Sequence, residues 1–210
     1  MLKNNKTIVI VDYGVGNTGT ILNMVRKIGF NCLISNDITV LMSADKIILP
    51  GVGSFDQAMS NLETLNLIVP LNHIALTKKT DILGICLGMQ IMLNCSDEGS
   101  IDGFGWIKGE VKRIDFLDGS RSVRLPHMGW SSVHSKHENS IIRPCSEEAY
   151  FYFLHSYHVM CESSKNIMGT SFYGSEFTSA IVHQNLYGVQ FHPERSHRAG
   201  MSLLKDFIER

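Results

Sequence analysis

Cys86 lies in Leu83-Gly84-Ile85-Cys86-Leu87-Gly88-Met89-Gln90, a stretch that follows Thr80-Asp81-Ile82 and leads into Met89-Gln90-Ile91-Met92-Leu93. Glycines two residues to either side of a reactive side chain let a strand bend sharply into a helix, with that side chain at the apex. There the sulfur sits near the free N–H groups and positive end of a helix, which favour thiolate over thiol and make a nucleophile near neutral pH. Most free cysteines are small buried hydrophobes; the flanking glycines set Cys86 apart. A base is available far along the chain, in Gln190-Phe191-His192-Pro193-Glu194. Glu194 can accept the proton of one imidazole nitrogen of His192 while the other faces outward, and Pro193 stiffens the exit. Cys86, His192 and Glu194 thus make a nucleophile–base–orienter set. Pro50-Gly51-Val52-Gly53 supplies the remaining requirement. Its turn can aim the N–H groups of Val52 and Gly53 at the same crevice as the Leu87 N–H, forming a hole for a tetrahedral oxyanion.

These residues need a scaffold that brings strand ends together. Thr7-Ile8-Val9-Ile10-Val11 is a continuous β-branched run, the mark of a strand buried on both faces. Ile21, Leu22, Val25 and Ile28 recur at helical spacing before Gly29. Strands follow at Cys32-Leu33-Ile34 and Lys46-Ile47-Ile48-Leu49, a helix over 55–67 with Ala58, Met59, Leu62 and Leu65 on one face, a helical stretch near 71–76, and the strand carrying Cys86. Alternation of this kind predicts a parallel sheet covered on both sides. Past Asn94 the pattern changes to short strands: 111–114, 123–125, 132–133, 149–153, 157–160, 169–172, 180–183 and 187–191, with Gln184-Asn185 as a tight hairpin. A last helix over 197–209 is expected to bury Met201, Leu204, Phe207 and Ile208. The prediction is an α/β, three-layer fold: a mostly parallel central sheet flanked by helices, with a β-rich C-terminal half, in a single domain over residues 1–210.

With 210 residues, 44% hydrophobic and 19% charged, the chain can build a sizeable core. A net charge of −1 and the lack of Lys/Arg clusters give no field to recruit nucleic acid or an anionic membrane. The polar start Met1-Leu2-Lys3-Asn4-Asn5-Lys6 carries no signal-peptide core, and no apolar run approaches the ~18 residues of a membrane span, so a cytoplasmic protein is expected. Cys32, Cys86, Cys95, Cys145 and Cys161 are odd in number and unpatterned, which suits reduced thiols. His127, His134, His137, His155 and His158 cluster in sequence, yet their spacings fit no compact ligand set, and no metal is assigned.

A competing signal is Gly14-Val15-Gly16-Asn17-Thr18-Gly19, a literal G-x-G-x-x-G after a strand and before a helix, with Asp37 near where a ribose-binding acid belongs. It would make the chain a dinucleotide-binding module. Against it, Asp12-Tyr13 brings a carboxylate and a bulky ring to the place a pyrophosphate needs, and Cys86 and the C-terminal motif are left without a role.

Leu49-Pro50-Gly51-Val52-Gly53-Ser54-Phe55, Gly84-Ile85-Cys86-Leu87-Gly88-Met89-Gln90, Pro126-His127-Met128-Gly129-Trp130, Phe153-Leu154-His155-Ser156-Tyr157 and Gln190-Phe191-His192-Pro193-Glu194 together resemble the triad (class I) glutamine amidotransferases. More narrowly, the pattern resembles the glutaminase subunits of imidazole glycerol phosphate synthases of histidine biosynthesis. The resemblance spans nearly the whole chain and implies the flavodoxin-like fold of that class. It implies hydrolysis of L-glutamine to glutamate and ammonia through a thioester on Cys86, with no cofactor. By the same resemblance Gly53, Leu87, Gln90, Glu98, His155, Ser156 and Tyr157 hold glutamine, the Gln90 amide and Glu98 carboxylate suiting its α-amino group. It further implies docking on a (β/α)₈-barrel cyclase that receives the ammonia through a dry tunnel and makes imidazole glycerol phosphate and an aminoimidazole carboxamide ribotide. Asn17, Trp130, Tyr152 and Arg195 fall where the family meets this partner. The resemblance also implies that turnover is coupled to cyclase ligands through reorientation of the turn at Val52. Ser131 stands where relatives usually have Asn, and Arg195 where they usually have Lys. Both departures lie on the partner side and raise a second reading, a paralogue that feeds ammonia to a synthase amidating a cell-surface sugar.

Overall fold

The computed structural model describes residues 6–115, 124–136, 141–142 and 150–210. The elements run β1 (Thr7–Val11), α1 (Thr18–Ile28), β2 (Asn31–Ser35), α2 (Ile38–Ser43), β3 (Lys46–Leu49), α3 (Phe55–Thr64), α4 (Ile68–Asn72) continuing into a π-helical turn at His73–Lys78, β4 (Asp81–Ile85) and α5 (Leu87–Gln90). They continue with β5 (Cys95–Ser96), β6 (Gly109–Arg113), β7 (His127–Ser132), β8 (His134–Ser135), β9 (Tyr150–His155), β10 (Tyr157–Cys161), β11 (Ile167–Tyr173), β12 (Ser175–His183), β13 (Leu186–Val189), a 3₁₀ turn at Pro193–Arg195 and α6 (His197–Glu209).

The main sheet has the order β2-β1-β3-β4-β13-β12-β10-β6-β5, with β11 paired to β12 and β8. From β2 to β13 the neighbours are parallel; from β13 through β12 and β10 to β6 they are antiparallel. The sheet is therefore mixed, and "mostly parallel" holds for the part from β2 to β13. β7 and β9 form a separate antiparallel ribbon, with His127 opposite His155 and Trp130 opposite Tyr152.

Alternate residues of the central strands feed two cores, which is why those strands read as unbroken apolar runs. Val9, Val11, Ile47 and Leu49 pack with Phe55, Ala58, Met59, Leu62 and Leu71 on one face. Ile8, Ile10 and Ile48 pack with Ile21, Val25, Phe151, Phe153, Leu204, Phe207 and Ile208 on the other. Each fully buried Ile or Leu contributes about 1.5–3 kcal/mol relative to exposure. No helix among the described residues is long and apolar enough to cross a membrane.

Several local expectations are corrected. The helix after Cys86 is the single turn Leu87–Gln90, because the segment from Gly103 to Ile107 takes over the next carbonyls: Phe104 N–H donates to Ile91 O, Ile107 to Met92 O and Gly105 to Leu93 O. α3 stops at Thr64, leaving Leu65 exposed, and α6 buries Leu203 while Met201 is half-buried. Arg124 and Leu125 form no strand. Val123, Ala149, His137 and Cys145 lie outside the described residues.

Candidate active site

β4 delivers Cys86 to the carboxyl edge of the sheet, where the backbone turns with φ 54° and ψ −110°. A cysteine at positive φ is strained, and a strained nucleophile turn is held only by tight surroundings. The glycines supply that tightness. A Cβ on Gly84 would lie 2.5 Å from Gly88 O, one on Gly88 1.9 Å from Leu49 O, and one on Gly51 2.5 Å from Gly88 N. Backbone thus touches backbone between the ends of β3 and β4 and the turn that follows each. Cys86 N–H donates to Val189 O at 2.7 Å, tying the elbow to β13.

β13 leads to the base. His192 Nδ1 and Glu194 Oε1 are 2.8 Å apart, with side chains 4% and 2% exposed. His192 N–H donates to Tyr152 O at 2.8 Å, and Ser196 Oγ donates to His192 O at 2.6 Å, so the loop is pinned to β9. Burial pushes the imidazole down, but the Cys86 sulfur and the Glu194 carboxylate outweigh it and raise His192 to about 10. His192 Nε2 is buried and makes no well-aligned hydrogen bond, with the Cys86 sulfur as its neighbour. Apo sites commonly hold their reacting pair in such loose alignment. The single-turn α5 offers little macrodipole, so the cation beside the sulfur is chiefly the imidazolium rather than the helix end expected from sequence.

Cys86 opens onto a cleft of about 250 Å³ lined by Val52, Gly53, Leu87, Gln90, Glu98, Pro126, Leu154, His155, Ser156 and Tyr157. All the residues expected to hold glutamine are thereby gathered around the sulfur. Gly53 has φ 118°, a Cβ placed on it would meet nothing within 4 Å, and Val52 is 45% exposed. Glu98 Oε2 accepts from Phe55 N–H at 2.9 Å, capping α3 where Ser54 makes no side-chain cap. Gln90 Nε2 donates to Tyr157 O at 3.2 Å and to Gln190 Oε1 at 3.1 Å, which leaves its oxygen as the end suited to an ammonium group.

Sequence reasoning missed three contributors. His127 Nδ1 meets His155 Nε2 at 3.0 Å, and its Nε2 meets Ser131 Oγ at 3.0 Å. Because His155 Nδ1 must donate to Tyr157 O at 2.8 Å, His127 donates to His155 and Ser131 donates to His127. Burial pushes both rings down, to about 4 for His127 and about 3 for His155, so both are neutral. Tyr13, fully buried, donates its O–H to Pro50 O beneath the candidate oxyanion turn; burial, then Cys86, pushes its phenol up. Gln190, also fully buried, lies with Nε2 3.5 Å from Cys86 Sγ. The i, i+2 spacing of Gln190 and His192 was the available signal, since both fall on one face of an extended strand.

The G-x-G-x-x-G reading is overturned. A Cβ on Gly16 would lie 2.8 Å from Pro50 Cβ, so this loop is glycine-rich in order to pack on the 50–53 turn. Gly14, at φ 82°, faces Asn61, and Gly19 has open space around it and makes no close helix–strand contact. Asp37 caps α2 through Val40 N–H at 3.0 Å. Among the described residues, no group of three His, Cys, Asp or Glu side chains is placed to hold a metal ion.

Of the expected partner residues, three meet on one surface. Trp130, 47% exposed, stacks on His197 at 5.4 Å and meets Tyr152 edge-on at 6.0 Å, and Arg195 lies 5.6 Å over the Tyr152 ring. Asn17 is exposed and caps α1 through Thr20.

Fold and site together define a class I glutamine amidotransferase, and the model of that family matches residues 9–210. Two curated relatives resemble the chain from end to end. The imidazole glycerol phosphate synthase subunit HisH 2 of Methanococcus maripaludis is 48% identical, covering 96% of this chain and 98% of its own. The HisH subunit of Leptospira borgpetersenii is 42% identical over 94% and 97%. The chain belongs to this HisH family of class I amidotransferases. Among solved structures, PurLQS from Thermotoga maritima superposes with a TM-score of 0.73 at 17% identity, covering 97% of this chain and 98% of that one. A further glutamine amidotransferase gives 0.72 at 13% identity over 96% and 97%. At such identities the likeness speaks for the fold alone.

Proposed function

We propose that the chain is the glutaminase subunit of an imidazole glycerol phosphate synthase, a single domain over residues 1–210 working in the cytoplasm. The observation that carries the reading is that Cys86, with the buried His192–Glu194 pair as its neighbour, opens onto a cleft gathering Gly53, Leu87, Gln90, Glu98, His155, Ser156 and Tyr157. The Cys86 thiolate attacks the γ-carboxamide carbon of L-glutamine, and N–H groups of Leu87 and of the Val52–Gly53 turn take the oxyanion. His192 passes its proton to the leaving nitrogen, releasing ammonia and a γ-glutamyl thioester. Water, giving a proton to His192, then attacks the thioester, releasing glutamate, whose new γ-carboxyl loses its proton to solvent, and regenerating the Cys86 thiolate beside the imidazolium. Glu194 fixes the imidazole tautomer and stabilises its charge throughout.

The partner is a (β/α)₈-barrel cyclase that consumes the ammonia, and Trp130, Tyr152, Arg195 and Asn17 are proposed to face it. Protein channelling suits the chemistry, because free ammonia in water near neutral pH is largely protonated and loses its nucleophilicity. The names borne by the relatives favour this assignment over the surface-sugar paralogue. Cys86→Ala in the reconstituted complex is expected to abolish glutamine-dependent synthesis while ammonium salt still supports the cyclase. Glutamate release that persists in the variant would refute the mechanism. Failure of the histidine-pathway cyclase to couple with the unsubstituted chain would redirect the partner assignment.

A further inference from the structure

The Cys86 sulfur has a neighbour that the triad does not account for. Gln190 is fully buried and its Nε2 stands 3.5 Å from Cys86 Sγ. An amide can be turned either way, but here its orientation is dictated. Tyr157 O is a backbone carbonyl and accepts only, so the group on Gln90 that meets it at 3.2 Å must be its NH₂. The same NH₂ lies 3.1 Å from the next amide, whose facing atom must then be the oxygen of Gln190. What remains of Gln190 to face the sulfur is its NH₂. The chain Tyr157 O, Gln90, Gln190, Cys86 therefore ends in a donor aimed at the nucleophile, in a dry setting where such a bond is stronger than in water.

We infer that Gln190 is a further catalytic residue: its side-chain N–H donates to the Cys86 thiolate, and Gln90 is the positioning residue that holds it in that orientation. This rests on Cys86 being the nucleophile and deepens that reading. The thiol form has a different partner, since Cys86 Sγ–H can donate to Leu154 O at 3.9 Å, whereas the thiolate accepts and so engages Gln190. A donor that bonds one protonation state shifts the balance toward it. The other titratable groups around the sulfur are His192 with Glu194 behind it, the buried Tyr13 phenol, beyond His192 the neutral His155, and in the lining of the cleft the Glu98 carboxylate and the Tyr157 phenol. All of these stay in place when Gln190 is changed.

The test is the pH dependence of Cys86 alkylation by iodoacetamide, read by mass spectrometry on the Cys86 peptide of the full chain. Gln190→Met keeps the volume and removes the donor; Gln190→Glu keeps an acceptor for Gln90 and also removes the donor. Both are expected to move the alkylation midpoint upward by about one pH unit, a tenfold change, and to lower kcat of the complex with its cyclase while KM changes little. Gln90→Met is expected to give a smaller shift in the same direction. In the unsubstituted protein, a Gln190 side-chain amide proton should titrate with the same midpoint as alkylation. A midpoint that stays put in a variant with unchanged thermal unfolding overturns the proposal, as does an amide signal that ignores the titration. The profile needs no glutamine, so it remains readable even if Cys86→Ala were to retain glutaminase activity and sink the functional reading.

Discussion

Around Gly84, Gly88 and Gly51 the backbone segments approach so closely that one added carbon would fall 1.9–2.5 Å from the nearest backbone atom. Around Gly53, on the same cleft, an added carbon meets nothing within 4 Å, and the adjoining Val52 is 45% exposed. One wall is fixed by sterics and the other only by its backbone angles. A nucleophile must be held before substrate arrives, whereas an oxyanion turn can be left to respond, and Gly53 beside Val52 leaves it rotational freedom. The same division runs through the molecule: Cys86, His192 and Glu194 sit among buried residues, while Met128, Trp130 and Tyr150 on the β7–β9 ribbon are 47–65% exposed.

The contrast can be broken first at Gly88. Gly88→Ala is expected to cost more than about 3 kcal/mol of stability, because the clash is with the carbonyl of Leu49 and no flexible side chain can yield. Denaturant unfolding checks it, and a loss under about 1 kcal/mol would show the elbow to be pliable. Glu194→Gln ranks next, with an expected ten- to hundredfold fall in kcat, or roughly 1.4–2.7 kcal/mol of barrier. The same substitution sharpens a pH test. His192 is raised to about 10, so its contribution to stability is complete below its unfolded value near 6.5 and is lost as pH rises from there through about 10. His127 and His155, lowered to about 4 and about 3, act on the other limb: the unfolded chain takes up protons first, and stability falls as pH drops below about 6.5. Glu194→Gln should flatten the alkaline limb and leave the acid limb as it was.

Gly53→Ala is expected to cost about 1–2 kcal/mol, from the φ of 118° alone, with a disproportionate loss of glutaminase turnover. Equal destabilisation by Gly53→Ala and Gly88→Ala would erase the difference between the two walls. Smallest of all, Met128→Ser, at a position 65% exposed, should change the chain's own stability by less than about 0.5 kcal/mol yet weaken binding to the cyclase measurably in calorimetry.

The fixed wall was the legible one. Gly-x-Cys-x-Gly, Pro50-Gly51 and His-Pro-Glu each announce backbone geometry through residue type, and the β-branched runs announce the strands that carry them. The helix after Cys86 was over-read because its end depends on carbonyl partners more than ten residues away, from Gly103 to Ile107. Gly14, Gly16 and Gly19 suggested a nucleotide because the sequence does not reveal that Pro50 fills the space above Gly16. Hydrogen bonds through main-chain atoms were beyond reach altogether: nothing in the letters says that Tyr157 O accepts from both Gln90 and His155.

The central claim is that one sulfur does the chemistry. Treating the complex with a glutamine-derived diazoketone and mapping the adduct by mass spectrometry tests it most directly, because Cys32, Cys95, Cys145 and Cys161 compete in the same chain. The account predicts a single adduct on Cys86, formed in step with loss of glutaminase activity and prevented by glutamine. Inactivation with the adduct on another cysteine, or full activity with Cys86 modified, would contradict it.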